Sequence, residues 1–256
     1  MEYVKKYFFA LFACIYLFAG GFLFKKNRSL VPEICARFGF GKEKPLIPVL
    51  SIGEALKGSG PVTIDEIHDL DGNISAGELA VLNGLVRKYA PQRIFEIGTF
   101  DGRTTLNFSL NTSAGTRIFT LDLPAKDMGS VKLKLDTADA KFILKNEVGA
   151  RFKNCKEGKI TQLFGDSASF DFSGYHDSID FMFVDGSHAY DYVVSDTRAA
   201  LKLVKKNGLI VWHDYNSRFW KDVTVGLNEF YKNGGEFSEM FAIEDTTLVV
   251  LRRGNT

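Results

Sequence analysis

The stretch RIFEIGTFDGRTT (residues 93–105) decides the fold of this chain. Its β-prone residues run to Ile97, Gly98 marks a turn, and a helix is predicted from Arg103. Glycine lets a backbone come close to a ligand, and the free N–H groups at a helix start favour a carboxylate or phosphate. The stretch therefore predicts a strand, a ligand-binding turn and a helix in succession.

Strand-like runs recur after this stretch and alternate with helix-like stretches. The predicted strands are Arg93–Ile97, Arg117–Leu121, Ile160–Phe164, Ile179–Val184 and Leu209–Trp212. The clearest predicted helix spans Ala189–Lys206, with Gly208 as its C-cap. Such alternation implies an α/β fold in which helices cover both faces of a parallel sheet.

Two local patterns complete the prediction of secondary structure. Residues 75–78 (SAGE) fit a capping box that opens a helix reaching residue 90. Residues 236–253 contain two strand-like runs divided at Glu244 and Asp245. These runs predict an antiparallel pair of strands at the C-terminus.

Acidic residues stand at the C-terminal ends of all five predicted strands. They are Glu96, Asp122, Asp166, Asp185 and Asp214, the last preceded by His213. Parallel strands end at one edge of a sheet, and ligands bind there. NAD fits part of this pattern, but the turn reads GTFDG rather than GxGxxG. S-adenosylmethionine fits better, because it offers a carboxylate to the helix start and cationic and hydroxyl groups to the acids.

A set of motifs along the chain resembles a known family. FEIGTFDGRTT, TLDLP, GDSASFDF, FVDGSHAY and GLIVWHDY occur in that order. Together they resemble the class I S-adenosylmethionine-dependent methyltransferases. More narrowly, they are similar to the bacterial group of sugar O-methyltransferases and cephalosporin hydroxylase-like proteins. The resemblance covers about residues 65–252 and implies a doubly wound, mostly parallel, seven-stranded Rossmann-like sheet with a reversed last strand.

The resemblance also implies roles for the residues at the strand ends. The implied cofactor contacts are Glu96, Gly98 and Gly102 for the methionine part, Asp122 for the ribose, and Asp166 with Ser167 for the adenine. Metal-dependent relatives hold a divalent ion, here expected to be Mg²⁺, at the positions of Asp185 and Asp214. His213 stands where those relatives carry a carboxylate.

Proton removal from the acceptor has one main candidate. His188, three residues after Asp185, is the candidate general base. His213 is a candidate base, ligand or supporting group. In the alternative without a metal, Asp185 orients His188 and the imidazole alone takes the proton.

The first residues of the chain predict a membrane anchor. Tyr7–Phe24 is an uncharged run of eighteen residues, about 27 Å long as a helix. A cleaved signal peptide and a helix buried on the domain or lying in the interface are the alternatives. Lysines and arginines that follow the run, including Lys25 and Lys26, favour a cytoplasmic C-terminal part.

The predicted organisation has three parts. Residues 1–28 are the anchor, residues 29–62 a proline-rich linker with little regular structure, and residues 63–256 the methyltransferase domain. The net charge of +1 and the absence of a basic stripe argue against nucleic acid as a partner. Three cysteines, odd in number and far apart, support neither a disulfide framework nor a zinc site.

The expected function is methylation of a hydroxyl on a sugar, glycan or lipid-linked acceptor at the membrane. Two other classes remain open at this stage. One is a nucleotide-binding oxidoreductase with a degenerate glycine turn, and the other is a non-catalytic binding domain that keeps the fold.

Overall fold

An eight-stranded, mostly parallel sheet lies at the centre of the fold. The computed structural model describes residues 2–24, 27–28, 30–31, 34, 43–68, 70–145, 147–155 and 158–254. Within them the strands are β1 (Val49–Leu50), β2 (Arg93–Ile97), β3 (Arg117–Asp122), β4 (Ile160–Phe164), β5 (Ile179–Val184), β6 (Val204–Trp212), β7 (Phe241–Ile243) and β8 (Val249–Arg252). The helices include α1 (Glu2–Gly21), α2 (Ile52–Ala55), α3 (Ala76–Tyr89), α4 (Arg103–Leu110), α5 (Ala140–Lys145), α6 (Tyr190–Leu203) and α7 (Lys221–Asn233).

The strand order is β1-β7-β8-β6-β5-β2-β3-β4, and β8 runs antiparallel to both of its neighbours. This confirms the α/β class, the reversed last strand and the C-terminal antiparallel pair. The expected count of seven strands was wrong. The eighth strand is Val49–Leu50, which pairs in parallel with Ala242 and Ile243.

The extra strand and helix α2 fall in the stretch expected to be a linker with little regular structure. The β7 edge explains the strand, because Ala242 N–H donates to Pro48 O at 2.8 Å and Glu244 N–H donates to Leu50 O at 2.9 Å. Most of residues 29–42 lies outside the described part of the chain. The division into these three parts stays a prediction.

Side chains of the central strands alternate between two buried clusters. On β5, Phe181 and Phe183 pack on one face of the sheet, whereas Met182 and Val184 pack on the other. Successive residues of a strand point to opposite faces, so both faces here are buried. This two-sided burial confirms the doubly wound arrangement.

The strand register brings the functional candidates to one edge. Ile97 lies opposite both Leu121 and Val184, and Val184 lies opposite Trp212. The residues that follow these four therefore form one row. They are Gly98, Asp122, Asp185 and His213.

The helix predicted over Ala189–Lys206 ends earlier than expected. Helix α6 stops at Leu203, and Val204 is already extended and paired with Ile179 in the sheet. Gly208 does not cap the helix. A Cβ at Gly208 would lie 2.5 Å from the Val204 side chain and 3.0 Å from Asp180 O, so glycine is needed there for close packing of the strand.

The two predicted helix starts are confirmed, each with its own cap. Ser75 and Glu78 form the expected capping box at the start of α3. Helix α4 begins at Arg103, whose N–H donates to Asp101 Oδ1 at 3.0 Å. Because Asp101 already occupies this N–H, the start of α4 is less available to a ligand carboxylate than the sequence suggested.

The N-terminal run forms helix α1. Residues Tyr3–Gly21 are long and apolar enough to cross a membrane, with a mean hydropathy of 1.3, and their side chains are almost all exposed. This exposure contradicts the alternative of a helix buried on the domain. The helix ends three residues before the predicted Phe24, and the Arg28 guanidinium donates to the carbonyls of Gly21 and Phe22. Lys25 and Lys26 lie outside the described residues.

Candidate active site

A cleft of about 1000 Å³ opens at the edge where the parallel strands end. Most of the predicted site residues line it, namely Gly98, Asp122, Asp166, Ser167, Asp185, His188, His213 and Asp214. Glu96 and Gly102 do not line it. The remaining walls come from the loop at residues 71–73, from α5 with the loop before it, and from Phe219 with Trp220.

The two glycines of the turn serve packing. Gly98 has φ +97°, and a Cβ there would lie 1.9 Å from Asp185 O, so only glycine lets the ends of β2 and β5 come together. A Cβ at Gly102 would lie 2.5 Å from the ring of Phe152. Gly102 is therefore covered by another loop and has no direct access to the cleft.

Glu96 is fully buried two residues before Gly98. One carboxyl oxygen accepts hydrogen bonds from the hydroxyls of Thr105 and Thr120, and the other, Oε1, has no partner among the described residues. Burial raises the pKa of Glu96 to about 8, against the lowering effect of the two hydroxyls. A buried acid with an unused oxygen is suited to a cationic or hydrogen-bond-donating group.

Asp122 lies at the end of β3 on the cleft wall. Its Oδ2 accepts the N–H of Phe100 at 2.6 Å. Burial raises the pKa of Asp122 to about 6, although hydrogen bonds from the neighbouring backbone lower it. This carboxyl is positioned by the glycine turn itself, because Phe100 belongs to that turn.

Asp166 is held by donors from three directions. Its oxygens accept the N–H groups of Lys132 and Ala168 at 2.8 and 3.0 Å and the hydroxyl of Tyr192 at 2.9 Å. Ser169 Oγ adds a contact at 3.3 Å. A carboxylate offers about four acceptor positions, so an additional donor must displace one of these contacts.

His188 stands between two acidic side chains. Its Nδ1 lies 2.7 Å from Asp139 Oδ1, and its Nε2 lies 2.9 Å from Asp214 Oδ2. Asp139 also accepts the hydroxyl of Ser187 at 2.6 Å. The ring of Trp220 stacks on the imidazole, with centroids 3.9 Å apart. The structure contradicts the alternative in which Asp185 orients His188, because Asp139 is the residue in contact with His188 Nδ1.

His213 bridges the two predicted metal ligands. Its Nδ1 lies 3.0 Å from Asp185 Oδ1 and 3.2 Å from Asp214 Oδ2. Its Nε2 faces Glu78 at 3.6 Å, and Glu78 Oε1 also accepts the N–H and hydroxyl of Thr247. Glu78 thus connects the start of α3, the β7–β8 turn and the site.

One group of the described residues has the spacing of a metal site. The ligand atoms of Asp185, His188 and Asp214 all lie within 4.8 Å of one another. Asp139 on the far nitrogen of His188 would fix the ring of such a ligand. His213 is the feature that departs from a simple cation site, since its ring already contacts both acids.

A comparison with protein families identifies this part of the chain. Residues 95–215 match the family described as a methyltransferase domain. The match spans the glycine turn, the row of strand ends and His188. Residues 95–215 are a class I S-adenosylmethionine-dependent methyltransferase domain. None of the curated proteins matches the chain.

Solved structures share the fold of this methyltransferase domain. The O-methyltransferase TomG from Streptomyces achromogenes, with SAM, is 18% identical, covers 75% of this chain and 92% of its own, and has a TM-score of 0.50. The SAH-bound methyltransferase PaMTH1 from Podospora anserina is 17% identical, with coverages of 91% and 97% and a TM-score of 0.54. The calicheamicin methyltransferase CalS11 is 13% identical, with coverages of 70% and 79% and a TM-score of 0.53.

The electrostatics of the methyltransferase cleft centre on its two histidines. Burial lowers the pKa of His188, but Asp139 and Asp214 outweigh burial and raise it to about 10. Burial likewise lowers the pKa of His213, and Asp214 with Asp185 raises it well above its usual range. A protonated imidazole cannot accept a proton, so His188 must first lose one to act as a base.

Sequence reasoning missed three residues of the methyltransferase site. Asp139 follows no predicted strand, Trp220 lies in a loop before α7, and Glu78 was predicted only as part of a helix cap. Asp139 is 49 residues from His188 along the chain. No spacing in the sequence links such distant positions, so no pattern could have identified these contacts.

Proposed function

We propose that this chain transfers the methyl group of S-adenosylmethionine to a hydroxyl of a sugar, glycan or lipid-linked acceptor at a membrane. The observation that carries the proposal is the position of His188, a candidate general base held inside the cleft by Asp139 and Asp214. An alcohol must lose its proton to become a methyl acceptor, and a positioned imidazole is the commonest group for this task.

The cofactor is proposed to lie along the strand ends. Glu96 and Gly98 would be near its methionine part, Asp122 would accept the ribose hydroxyls, and Asp166 with Ser167 would be near the adenine. Because Glu96 does not line the cleft, contact between its unused Oε1 and the cofactor requires a shift of the surrounding chain. The proposed contribution of Gly102 to cofactor binding is indirect, since Gly102 packs against Phe152 and shapes the turn.

When bound, S-adenosylmethionine would supply a methyl group on a sulfonium, and the sulfur would keep the electron pair of the broken C–S bond and leave as a neutral thioether. The acceptor hydroxyl would replace Asp214 at Nε2, where His188 takes its proton, while Nδ1–H donates to Asp139, which fixes the tautomer. The stacked indole of Trp220 holds the plane of the imidazole ring parallel to its own. Positioning of the reacting atoms can contribute up to about 7–11 kcal/mol to catalysis. His188 acts in this way only after it has released its own proton.

A second candidate feature is a divalent ion. Asp185 and Asp214 offer the hard oxygen donors that Mg²⁺ prefers, and His188 offers a third ligand atom nearby. A bound ion would lower the pKa of an acceptor hydroxyl. The donors suit an ion provided that His213 gives up its contacts with both acids.

Helix α1 is proposed to anchor the enzyme in a membrane, with the methyltransferase domain on the cytosolic side. Its length and exposed apolar surface support the anchor. The side is inferred from the basic residues after the helix and from the cytosolic supply expected for the cofactor. A signal peptide that is removed remains the alternative.

Incubation with S-adenosylmethionine labelled in its methyl group tests the function. Full-length protein would be mixed with glycans and with lipid extracts, and both S-adenosylhomocysteine and labelled product would be measured. We expect product with wild type and a loss of about 10²–10⁴-fold with His188→Ala. Binding of S-adenosylmethionine without turnover on any hydroxyl acceptor would favour a non-catalytic domain, and binding of NAD instead would favour an oxidoreductase.

A further inference from the structure

Large apolar side chains are exposed at one side of the cleft mouth. Ile67, Leu70, Leu144 and Phe219 are each between 53% and 61% exposed. We call these four residues the apolar rim. Phe219 itself lines the cleft, and the other three lie within one to four residues of positions that line it.

Three chain segments bring the apolar rim together. Asp71 and Lys141 form an ion pair at 3.3 Å, which joins the loop after Leu70 to α5. A Cβ at Gly72 would lie 2.7 Å from the ring of Phe142, so loop and helix are in close contact. Phe142 in turn lies 6.4 Å from Trp220, ring to ring. The rim is therefore one region of surface rather than a scatter of single side chains.

Grouped apolar side chains at the edge of a cleft usually mark an interaction surface. The chain also carries α1, whose apolar side chains are exposed along its length. Residues 22–42 lie between α1 and the domain, and those described at 27–28, 30–31 and 34 are helical, so the tether is shorter than the ~70 Å that a fully extended segment would span at ~3.3 Å per residue. A tether of this reach keeps the domain near the bilayer but leaves open which face turns towards it.

We propose that the apolar rim docks on the lipid bilayer, so that the cleft opens towards the membrane surface. The proposal rests on the proposed anchoring through α1. The rim segments carry charges of both signs: Lys141 pairs with Asp71, Glu66 pairs with Arg151, and Arg218, Lys221 and Asp222 flank Phe219 and Trp220. We expect apolar contact rather than ionic attraction to hold the rim on the bilayer. A lipid-linked or lipophilic acceptor could then reach His188 without leaving the membrane. The acceptor would then be a molecule that resides in the membrane leaflet on which the rim docks.

Tryptophan fluorescence offers a direct test. The chain has two tryptophans, of which Trp212 is buried in the core and Trp220 lies beside Phe219. Full-length protein would be reconstituted in phosphatidylcholine vesicles with or without bromine on the acyl chains. The difference in fluorescence emission between wild type and Trp220→Phe gives the emission that comes from Trp220. We expect brominated lipid to lower that contribution about twofold, also in 1 M salt, where charges are screened beyond ~3 Å.

Two matched double variants assign the effect to the rim. Leu70→Ser with Leu144→Ser should abolish most of the quenching. Val62→Ser with Leu110→Ser should leave it unchanged, because these residues are 36% and 39% exposed near Asn111, at the end of α4 away from the cleft. Thermal unfolding of each variant checks that it is folded.

Three outcomes overturn the proposal. Unquenched Trp220 in protein that resists a carbonate wash would leave the anchor in place and reject docking of the rim. Protein removed by the wash would reject the anchor and the docking together. A dimer in detergent that the Leu70 and Leu144 substitutions dissociate, with no quenching in vesicles, would make a second copy of the chain the occupant of the rim. Methyl transfer to a water-soluble acceptor would still be measurable in each case, so the proposed function is tested separately.

Discussion

The indole of Trp220 lies flat on the imidazole of His188, with 3.9 Å between ring centroids and 12° between ring planes. The imidazole is also held at both nitrogens, by Asp139 and Asp214. Three contacts therefore determine the position and the plane of one ring. In the proposed mechanism the acceptor hydroxyl replaces Asp214 at Nε2, and Asp139 with Trp220 then holds the ring while the proton is taken along one direction.

Loss of the stacked ring is expected to slow turnover. Trp220→Leu should lower kcat about tenfold to 10²-fold, because a displacement of about 1 Å at a reacting group can cost 10²-fold. Trp220→Phe keeps an aromatic face and should retain most of the activity. S-adenosylhomocysteine formation gives kcat, and calorimetric titration should find the cofactor affinity unchanged. An equal loss in both variants would assign Trp220 a role other than holding the ring.

Asp122→Ala is expected to weaken S-adenosylmethionine binding and leave the fold intact. Hydrogen bonds to a charged group contribute about 1.5–3 kcal/mol each, which corresponds to roughly a tenfold to 10²-fold higher Kd. Isothermal titration measures the change. Asp171→Ala is the matched control, since Asp171 is exposed and does not line the cleft. Unchanged affinity in Asp122→Ala would remove this residue from the site.

The stability of the cofactor-free protein should fall with rising pH because of Glu96. Its folded pKa of about 8 exceeds the ordinary 4.5, since burial disfavours the charged form. Between these values the folded state keeps a proton that the unfolded state has lost, so stability decreases as pH rises, by at most about 1.4 kcal/mol per pH unit. Glu96→Gln should make the slope less steep by this amount in denaturant titrations at pH 5 to 8, and the raised pKa values of Asp122 and His188 leave the variant a residual slope. If the free energy of unfolding changed with pH in the same way in the variant and in wild type, the assignment of this effect to Glu96 would be wrong.

Removal of divalent ions should stop turnover if Asp185 and Asp214 hold Mg²⁺. Activity after EDTA treatment, and its recovery with added Mg²⁺, are the measurements. His213→Asp should lower the Mg²⁺ concentration needed for half-maximal rate about tenfold, because it replaces a bridging imidazole by a further hard oxygen donor. Full activity in EDTA, with Asp214→Asn near wild type and His188→Ala inactive, would leave the imidazole as the base without an ion.

Helix α1 should keep the full-length protein in the membrane fraction after a carbonate wash. The domain from residue 60 onwards should resist protease added to intact cells, because it is expected to face the cytosol. Immunoblots of washed membranes and of protease-treated cells provide the readout. A mature protein that starts near Phe22 would identify the segment as a signal peptide instead.

Much of the fold could be read from local patterns. Three strands have the predicted bounds, and the capping box at Ser75 and the start of α4 are confirmed. Alternation of side chains along a strand and the hydrogen bonds of a helix cap involve neighbours in the chain, so a short stretch of sequence contains them. The row of acids at the strand ends follows from the same local reading, once the strands are parallel.

The exceptions arise where a distant strand or chain segment competes with the local preference. Helix α6 ends and strand β6 begins at Val204, because Val204 pairs with Ile179 of β5. Val49 and Leu50 become a strand because the edge of β7 is exposed to them. Neither partner lies within the local sequence, so the end of α6 and the number of strands could not be predicted from it.

The sequence by itself determined the α/β fold, the edge at which the site lies and the acids that line it. Only the tertiary structure decided which acid meets which histidine. Asp139 contacts His188 across 49 residues of chain, Asp214 across 26, and Asp185 turns to His213 across 28. Contacts over such separations depend on how loops and helices pack on the sheet, and the close packing of the whole domain sets those positions.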